Sequence, residues 1–226
     1  MSKFICLQHT YEGVEAALFK NRDLIKKVFE SKKRSSKYFI AMIQSLLDDS
    51  DISLDQLSFI AANKGPGPFT TLRVVLSSVN GLALAMNKPI LGIDGLEAIL
   101  QEYRNTKYPI TVALLDAYSQ DVYFGIEQEG APKREKGYKN ITVFLEDLKK
   151  VAPDKQIEFI QFIGNGSEKY QEDIVNIFGD RAVFDDPMPQ TCSIEQVGKM
   201  AFDKWKKQID LTDQLLPIYL KSMKTT

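Results

Sequence analysis

With 226 residues, 44% of them hydrophobic, the chain can fill one large core or two lobes of roughly a hundred residues each. Its 29 Lys and Arg against 30 Asp and Glu leave a net charge of -1, which excludes the basic balance of a chain that grips nucleic acid unaided, so RNA contact would need a partner. Cys6 and Cys192 are far apart and outside any C-x-x-C pair, which excludes a disulfide framework or zinc knuckle and fits a reducing compartment.

In chain order, the N-terminal MSKFICLQHTYEG meets polar residues after a few apolar ones, so it lacks a signal-peptide core, and no run approaches a membrane span. A cytoplasmic location without membrane attachment is expected. Residues 3–8, 13–20 and 24–31 read as three strands of a meander with polar turns between them. A helix follows over about 36–47, then a strand at 57–63, a long helix after Pro68, a strand at 89–93 and a helix at 95–103. The order βββαβαβα then begins again: strands at 110–116, 121–128 and 137–143, a helix near 145–150, a strand at 157–164, a helix at 168–178, a short strand at 182–184 and a helix at 193–208. Ile5-Cys6-Leu7 and Val112-Ala113-Leu114 open the two halves, and Tyr11 and Tyr118 fall at matching offsets. Duplicated α/β lobes with mixed sheets are predicted, 1–104 and 105–226, the final segment packing back on the first lobe. The short basic clusters 32–34 and 204–207 read as solvated faces.

The stretch 63-NKGPGPFTTLRVVLSSVNGLALAMNKP-89 looks like a phosphate loop feeding a helix, but it lacks the G-x-x-x-x-G-K-[ST] pattern. Pro66 and Pro68 carry no N–H, so the loop is short of the donors a phosphate cradle needs. Instead Gly65 and Gly67 permit a tight turn, Pro68 suits a first helical turn, and the four residues set the angle at which the helix departs. At 100° per residue, Leu72, Val75, Leu76, Val79, Leu82, Ala83 and Met86 form a core-facing stripe. Val74, Ser77, Ser78, Gly81 and Ala85 form a small-residue stripe opposite, and Arg73 is the only charge in the helix. Such a helix either lies buried within its own chain or docks its outer side on another protein. The preceding helix shares the trait, with Phe39, Met42, Ile43 and Leu46 for the core and Tyr38, Ile40, Ala41 and Leu47 spreading apolar surface around the rest.

His9 is the single histidine, which excludes every two-histidine metal motif; in a turn it is expected at the surface. Cys6 lies in an apolar strand and reads as packing. G-x-S-x-G nucleophile elbows are absent. Asp116, at a strand end before 117-AYSQD-121, either ligates a metal or phosphate in a degenerate nucleotide site or caps the turn.

The run GPGPFTTLRVVLSSVNGLALAMNKPILGIDGLEAI resembles the G-P-G-S-F-T-G-L-R…G-L-A…P…G-[IV]-[SD]-L-E-A signature of the TsaB (YeaZ) family. In the same order, 115-LDAYSQDVYFG-125 is similar to the family's D-A-R-x-x-E-V-Y segment, 163-IGNGSEKY-170 to its G-N-G segment and 216-LPIYLKS-222 to its terminal P-x-Y-L-R. The resemblance implies a two-lobed actin-like ATPase fold and a non-catalytic subunit of the bacterial machinery that makes threonylcarbamoyladenosine at position 37 of tRNA. It implies pairing with the TsaD-like transferase through the two N-terminal-lobe helices, at Tyr38, Ala41, Val74, Ser77, Ser78, Gly81 and Ala85. A TsaE-like ATPase joins and tRNA is met only through the complex; the apolar outer sides of the same helices leave open whether the free chain is a monomer or a homodimer. It further implies no metal and no cofactor of the chain's own, ATP or ADP being a ligand only where subunits meet. TsaD holds its metal with two histidines of an H-x-x-x-H motif, so a chain with one histidine is not that subunit. Gln8 and His9 replace the family's first-strand D-T, Ser35 replaces a histidine, Tyr118 an arginine, and Pro68 and Thr71 replace Ser and Gly in the loop. The competing reading is a self-sufficient ATPase or small-molecule kinase of the same fold, which needs free phosphate-loop donors, a metal-binding aspartate and a base.

Overall fold

A computed structural model of the chain describes residues 1–131, 133–151 and 159–220. They fall into two compact units, Met1–Ala98 with Ser193–Ile218, and Ile99–Cys192 with Tyr219 and Leu220. One boundary lies inside the 95–103 helix, and residues 193–218 of the final segment lie with the first unit. The reason is packing: the apolar side of the 194–207 helix is buried against the first unit's strands.

In the first unit, β1 (Lys3–His9), β2 (Gly13–Lys20) and β3 (Asp23–Ser31) form the antiparallel meander. β4 (Phe59–Asn63) adds parallel to β1 and β5 (Ile90–Ile93) parallel to β4. α1 (Ser35–Asp48) and α2 (Phe69–Met86) cover one face, burying Phe39, Ile43, Leu46, Val75 and Val79 against Ile5, Leu7, Ala16 and Ile60. The alternate residues of the strands point the other way. There Phe4 stacks on Phe19 at 5.0 Å and on Phe59 at 4.3 Å, and Phe59 stacks on Trp205 of α7 (Ile194–Lys207) at 4.7 Å. Ser193 caps α7 by accepting from the Gln196 N–H at 3.1 Å. β11 (Leu211–Thr212), which the periodicity did not reveal because two residues carry no period, adds to β5 and completes the order β11-β5-β4-β1-β2-β3.

The second unit repeats the plan with β6 (Ile110–Asp116), β7 (Asp121–Gln128) and β8 (Glu135–Asn140) as meander, and β9 (Ile160–Ile163) and β10 (Ala182–Phe184) added in parallel. Its order, β10-β9-β6-β7-β8, matches the first sheet strand for strand apart from β11. This duplicated arrangement is that of the two-lobed actin-like ATPase fold. α3 (Gly95–Tyr103) precedes β6 and opens with Asp94 accepting from the Leu96 N–H at 2.9 Å.

Two local readings change. Ile141-Thr142-Val143 is not the end of a strand; it opens α4 (Ile141–Val151), because Asn140 accepts from the Thr142 N–H at 3.1 Å and Ile141, Phe144, Leu145 and Leu148 are buried at helical spacing. The β-branched run had read as strand. The helix read over 168–178 is two, α5 (Asn165–Lys169) and α6 (Gln171–Phe178), broken at Tyr170. Of the strand read over 157–164, residues 157 and 158 lie outside the described residues, as do 221 and 222 of the terminal motif.

Gly164 leads β9 into α5 at φ +94°, and a Cβ there would stand 2.3 Å from the Leu114 carbonyl oxygen. Gly164→Ala is therefore expected to cost about 2–4 kcal/mol, since both the backbone region and the space exclude a side chain. The check is the urea midpoint of the purified chain; an unchanged midpoint refutes the argument.

Candidate functional site: the glycine loop and the outer faces of two helices

The loop Gly65–Pro68 joins β4 to α2, and every contact described for it ties it to the first unit. Asn63 accepts from the Gly65 N–H at 2.9 Å, Gly65 accepts from the Gly95 N–H at 2.8 Å, and the Thr71 hydroxyl lies 3.2 Å from the Pro68 carbonyl and 3.3 Å from the Thr10 carbonyl. Thr71 is fully buried, so where the family carries a glycine this chain gains a bond fastening the helix start to the β1–β2 turn. Ser35, at another departure, is also buried and donates to the Lys32 carbonyl at 3.1 Å, closing the turn into α1.

His9 is not a surface residue. It ends β1 with 3% exposure, and its ring lies against Gly67, where an added Cβ would come within 2.2 Å of His9 Cε1. Glycine is needed at 67 to make room for the ring, and the ring fills the space beside the loop. Neither ring nitrogen meets a partner at hydrogen-bonding geometry. Burial lowers the His9 pKa to about 4, and interaction with Asn63 offsets this only in part, so the imidazole is neutral at physiological pH. Sequence reasoning placed His9 in the turn because polar residues follow it; the extra residue of β1–β2 pairing, His9 with Val14, draws it inside.

The outer helix faces lie on the same unit. Ser77, Gly81 and Ala85 are exposed, Val74 and Ser78 half-buried, and an added Cβ at Gly81 meets nothing within 4 Å. The Ser78 hydroxyl donates back to the Val74 carbonyl at 2.9 Å, which removes a polar group from the stripe. Leu84 is 84% exposed and Phe69 53%, two large apolar residues of this helix that the small-residue stripe did not include; for Leu84, its place on the wheel about 60° from Gly81 was the available signal. The Arg73 guanidinium lies over the Phe69 ring at 3.8 Å. The expectation that no run approaches a membrane span is corrected: by length and composition alone α2 is long and apolar enough to cross a bilayer, as a core helix can be, and a third of it is buried in the core. On α1, Ala41 is exposed, Ile40 is 54% exposed, and the half-buried Tyr38 ring lies under the Arg34 guanidinium at 4.5 Å. Leu47 is corrected: it is 1% exposed and buried in the core cluster that also holds Leu46 and Leu57, with Ile52 packed against it, rather than facing outward.

In the second unit, Asp116 serves the turn that follows it. Its carboxylate accepts from the Tyr118 N–H at 3.1 Å and pairs with the Lys169 ammonium at 2.9 Å, while the Asp116 N–H donates to Asn165 at 3.1 Å. The carboxylate raises the Lys169 pKa, chiefly through that hydrogen bond. Tyr118, Ser119 and Gln120 all take positive φ, 61°, 53° and 63°, and the carboxylate helps hold this left-handed turn. Among the described residues no cluster of three or more His, Cys, Asp or Glu side chains could hold a metal ion.

The family described as TsaD, tRNA N6-adenosine threonylcarbamoyltransferase, matches residues 29–178. The chain is 26% identical over 195 residues to the tRNA threonylcarbamoyladenosine biosynthesis protein TsaB of Bacillus subtilis (strain 168), covering 84% of this chain and 81% of that protein. It is 22% identical over 121 residues to the TsaB protein of Buchnera aphidicola subsp. Acyrthosiphon pisum, covering 53% of this chain and 55% of that protein. The match thus spans little more than half the length of that relative, and 58% of the length of its counterpart from Buchnera aphidicola subsp. Schizaphis graminum. YeaZ from Pseudomonas aeruginosa superimposes over 97% of this chain and 100% of its own with a TM-score of 0.72 at 24% identity. A second structure, of an uncharacterised Pseudomonas aeruginosa protein with similarity to peptidase YeaZ, gives a TM-score of 0.75 at 23% identity over 98% of this chain. At these identities the structures speak for the fold, and it is the sequence matches that carry the relationship. The loop, the two-sheet plan and the matches at the sequence level agree: the chain belongs to the TsaB/YeaZ family, within the wider group that the threonylcarbamoyltransferase pattern describes.

Proposed function

We propose that the chain is a non-catalytic scaffold subunit in the threonylcarbamoylation of tRNA adenosine, pairing with a TsaD-like transferase through the outer faces of α1 and α2. The observation that carries this reading is the exposed side of α2, where Ser77, Gly81, Leu84 and Ala85 meet solvent with Arg73 the sole charge of the helix. Small residues allow a partner helix to approach closely, and Leu84, Phe69 and Ile40 supply apolar anchors around them. A TsaE-like ATPase and tRNA are joined through the complex, in the cytoplasm, and in the partner's absence the same faces pair two copies of this chain. The supporting experiment is co-purification with the organism's own TsaD-like protein; two folded proteins that elute independently at micromolar concentration overturn the reading.

A self-sufficient ATPase or kinase is disfavoured by the same geometry. Pro66 and Pro68 offer no N–H, the His9 ring stands beside Gly67 where a phosphate would approach the loop, and Asp116 is engaged by Lys169. The purified chain alone is expected to show neither ATP hydrolysis nor threonylcarbamoyl transfer. Turnover that survives rigorous removal of contaminating subunits and is abolished by Asp116→Ala would establish the competing reading instead.

A further inference from the structure

The flank of α2 between its core side and its outer stripe is covered by the chain's own C-terminal segment. Asn80, half-buried on that flank, holds both backbone groups of one residue: its Oδ1 accepts from the Leu215 N–H at 2.8 Å and its Nδ2 donates to the Leu215 carbonyl at 3.0 Å. The Leu215 side chain is 5% exposed, belongs to the α1–α2 core cluster and lies so close to Gly92 that an added Cβ would meet its Cδ1 at 2.4 Å. Three residues on, the Ile218 N–H donates to the Lys64 carbonyl at 2.9 Å, at the start of the glycine loop. Residues 213–218 are therefore a strap fixed at both the middle of α2 and the loop that launches it. Leu216, next to the buried Leu215, is 69% exposed. Asn80 and Leu84 are one turn apart on the same flank, so the clamp brings strap and exposed Leu84 to one side of the helix.

We propose that this strap is a conformational clamp on the docking helix: Asn80 couples attachment of the C-terminal segment to occupation of the outer face of α2. The proposal rests on the docking reading above. A partner laid on that face meets a helix whose flank the attached strap holds at Asn80, so it binds the attached state better and favours it in turn. A detached strap also frees the loop at Lys64 and leaves α2 unsupported on one flank. Asn80→Leu keeps the branching and number of side-chain heavy atoms and removes both bonds.

The test is amide hydrogen exchange read at Leu215 and Ile218, together with affinity for the TsaD-like partner, in wild type, Asn80→Leu and Asn80→Gln. In the free protein Asn80→Leu is expected to speed exchange at both amides at least tenfold and to weaken partner binding at least tenfold with unchanged far-ultraviolet circular dichroism; Asn80→Gln, which retains the amide, recovers part of both. In wild type, the partner is expected to slow exchange at the two amides. A freed strap with unchanged partner affinity makes the clamp purely structural and overturns the proposal. So does wild-type strap exchange that the partner leaves unaltered, a measurement that stands even if Asn80→Leu fails to fold. If no partner binds the wild type at all, it is the docking reading that has failed, and the free-protein exchange still reports whether Asn80 holds the strap.

Discussion

Gly81→Arg is expected to abolish co-elution with the TsaD-like partner while leaving the chain folded. Gly81 is exposed, and an added Cβ there meets no other atom within 4 Å, so the free protein accommodates the long side chain in solvent. Replacing a mid-helix glycine by arginine even favours the helix, by a few tenths to about 1 kcal/mol. In a close-packed helix interface, the same side chain must either force the helices apart or bury an unpaired charge, at a cost of several kcal/mol, on the order of a hundredfold or more in affinity. Size-exclusion chromatography of wild type and variant with the partner, read beside circular dichroism, separates the outcomes. A folded variant that co-elutes as wild type does removes the stripe from the interface. Lost secondary structure would show that α2 tolerates no side chain there even in the free chain, contrary to the open surroundings of Gly81.

Stability is expected to fall by roughly 3 kcal/mol as the pH drops from about 6.5 to about 4, through His9. The sign follows from a base whose pKa is lowered in the folded state. Below its ordinary value near 6.5 the unfolded chain takes up a proton on His9 that the folded chain refuses, so each step down in pH favours unfolding until the folded group also titrates near 4. Above 6.5 the contribution is complete and constant. Glu15 works in the opposite direction: burial raises its carboxyl pKa, with Lys27 pulling it back, so protonating it in the folded state adds stability on acidification. His9→Leu isolates the first effect, because leucine removes the titrating ring and its two buried nitrogens while filling much of the space against Gly67. Urea midpoints between pH 7.5 and 4 should decline steeply for wild type and much less for His9→Leu. Parallel pH profiles for the two proteins would mean that His9 does not carry the acid sensitivity.

Much of the fold was legible because its patterns are local and repeated. The meander Lys3–Ser31 and its echo Ile110–Asn140 alternate or run apolar at strand length, and α2 shows a core stripe at Leu72, Val75, Leu76 and Val79 that the structure buries. Ile141-Thr142-Val143 misled because β-branched residues favour a strand intrinsically while the Asn140 cap and the spacing of Phe144 and Leu148 decide for a helix. The candidate site was legible in part. The small residues of α2 stood out because charge was missing where solvent normally places it, but Leu84 beside them and Phe69 at the start of the helix went unremarked, and Leu47 had been placed outside although it is buried in the core cluster.

Taken alone, the sequence determined the duplicated βββαβαβα plan, the helical stripes, the missing N–H donors at Pro66 and Pro68, and the motifs that carry the family resemblance. These depend on composition and on spacing within a few turns, which the chain displays whatever it later packs against. Only the tertiary structure decided that His9 is buried against Gly67, that Asp116 holds the turn and Lys169, and that Asn80 grips Leu215. Asn80 and Leu215 are 135 residues apart, and nothing in the neighbourhood of either announces the other. Burial and long-range polar pairing are properties of which surfaces meet, and that is settled when α7 and the strap return to the first unit's sheet and helices.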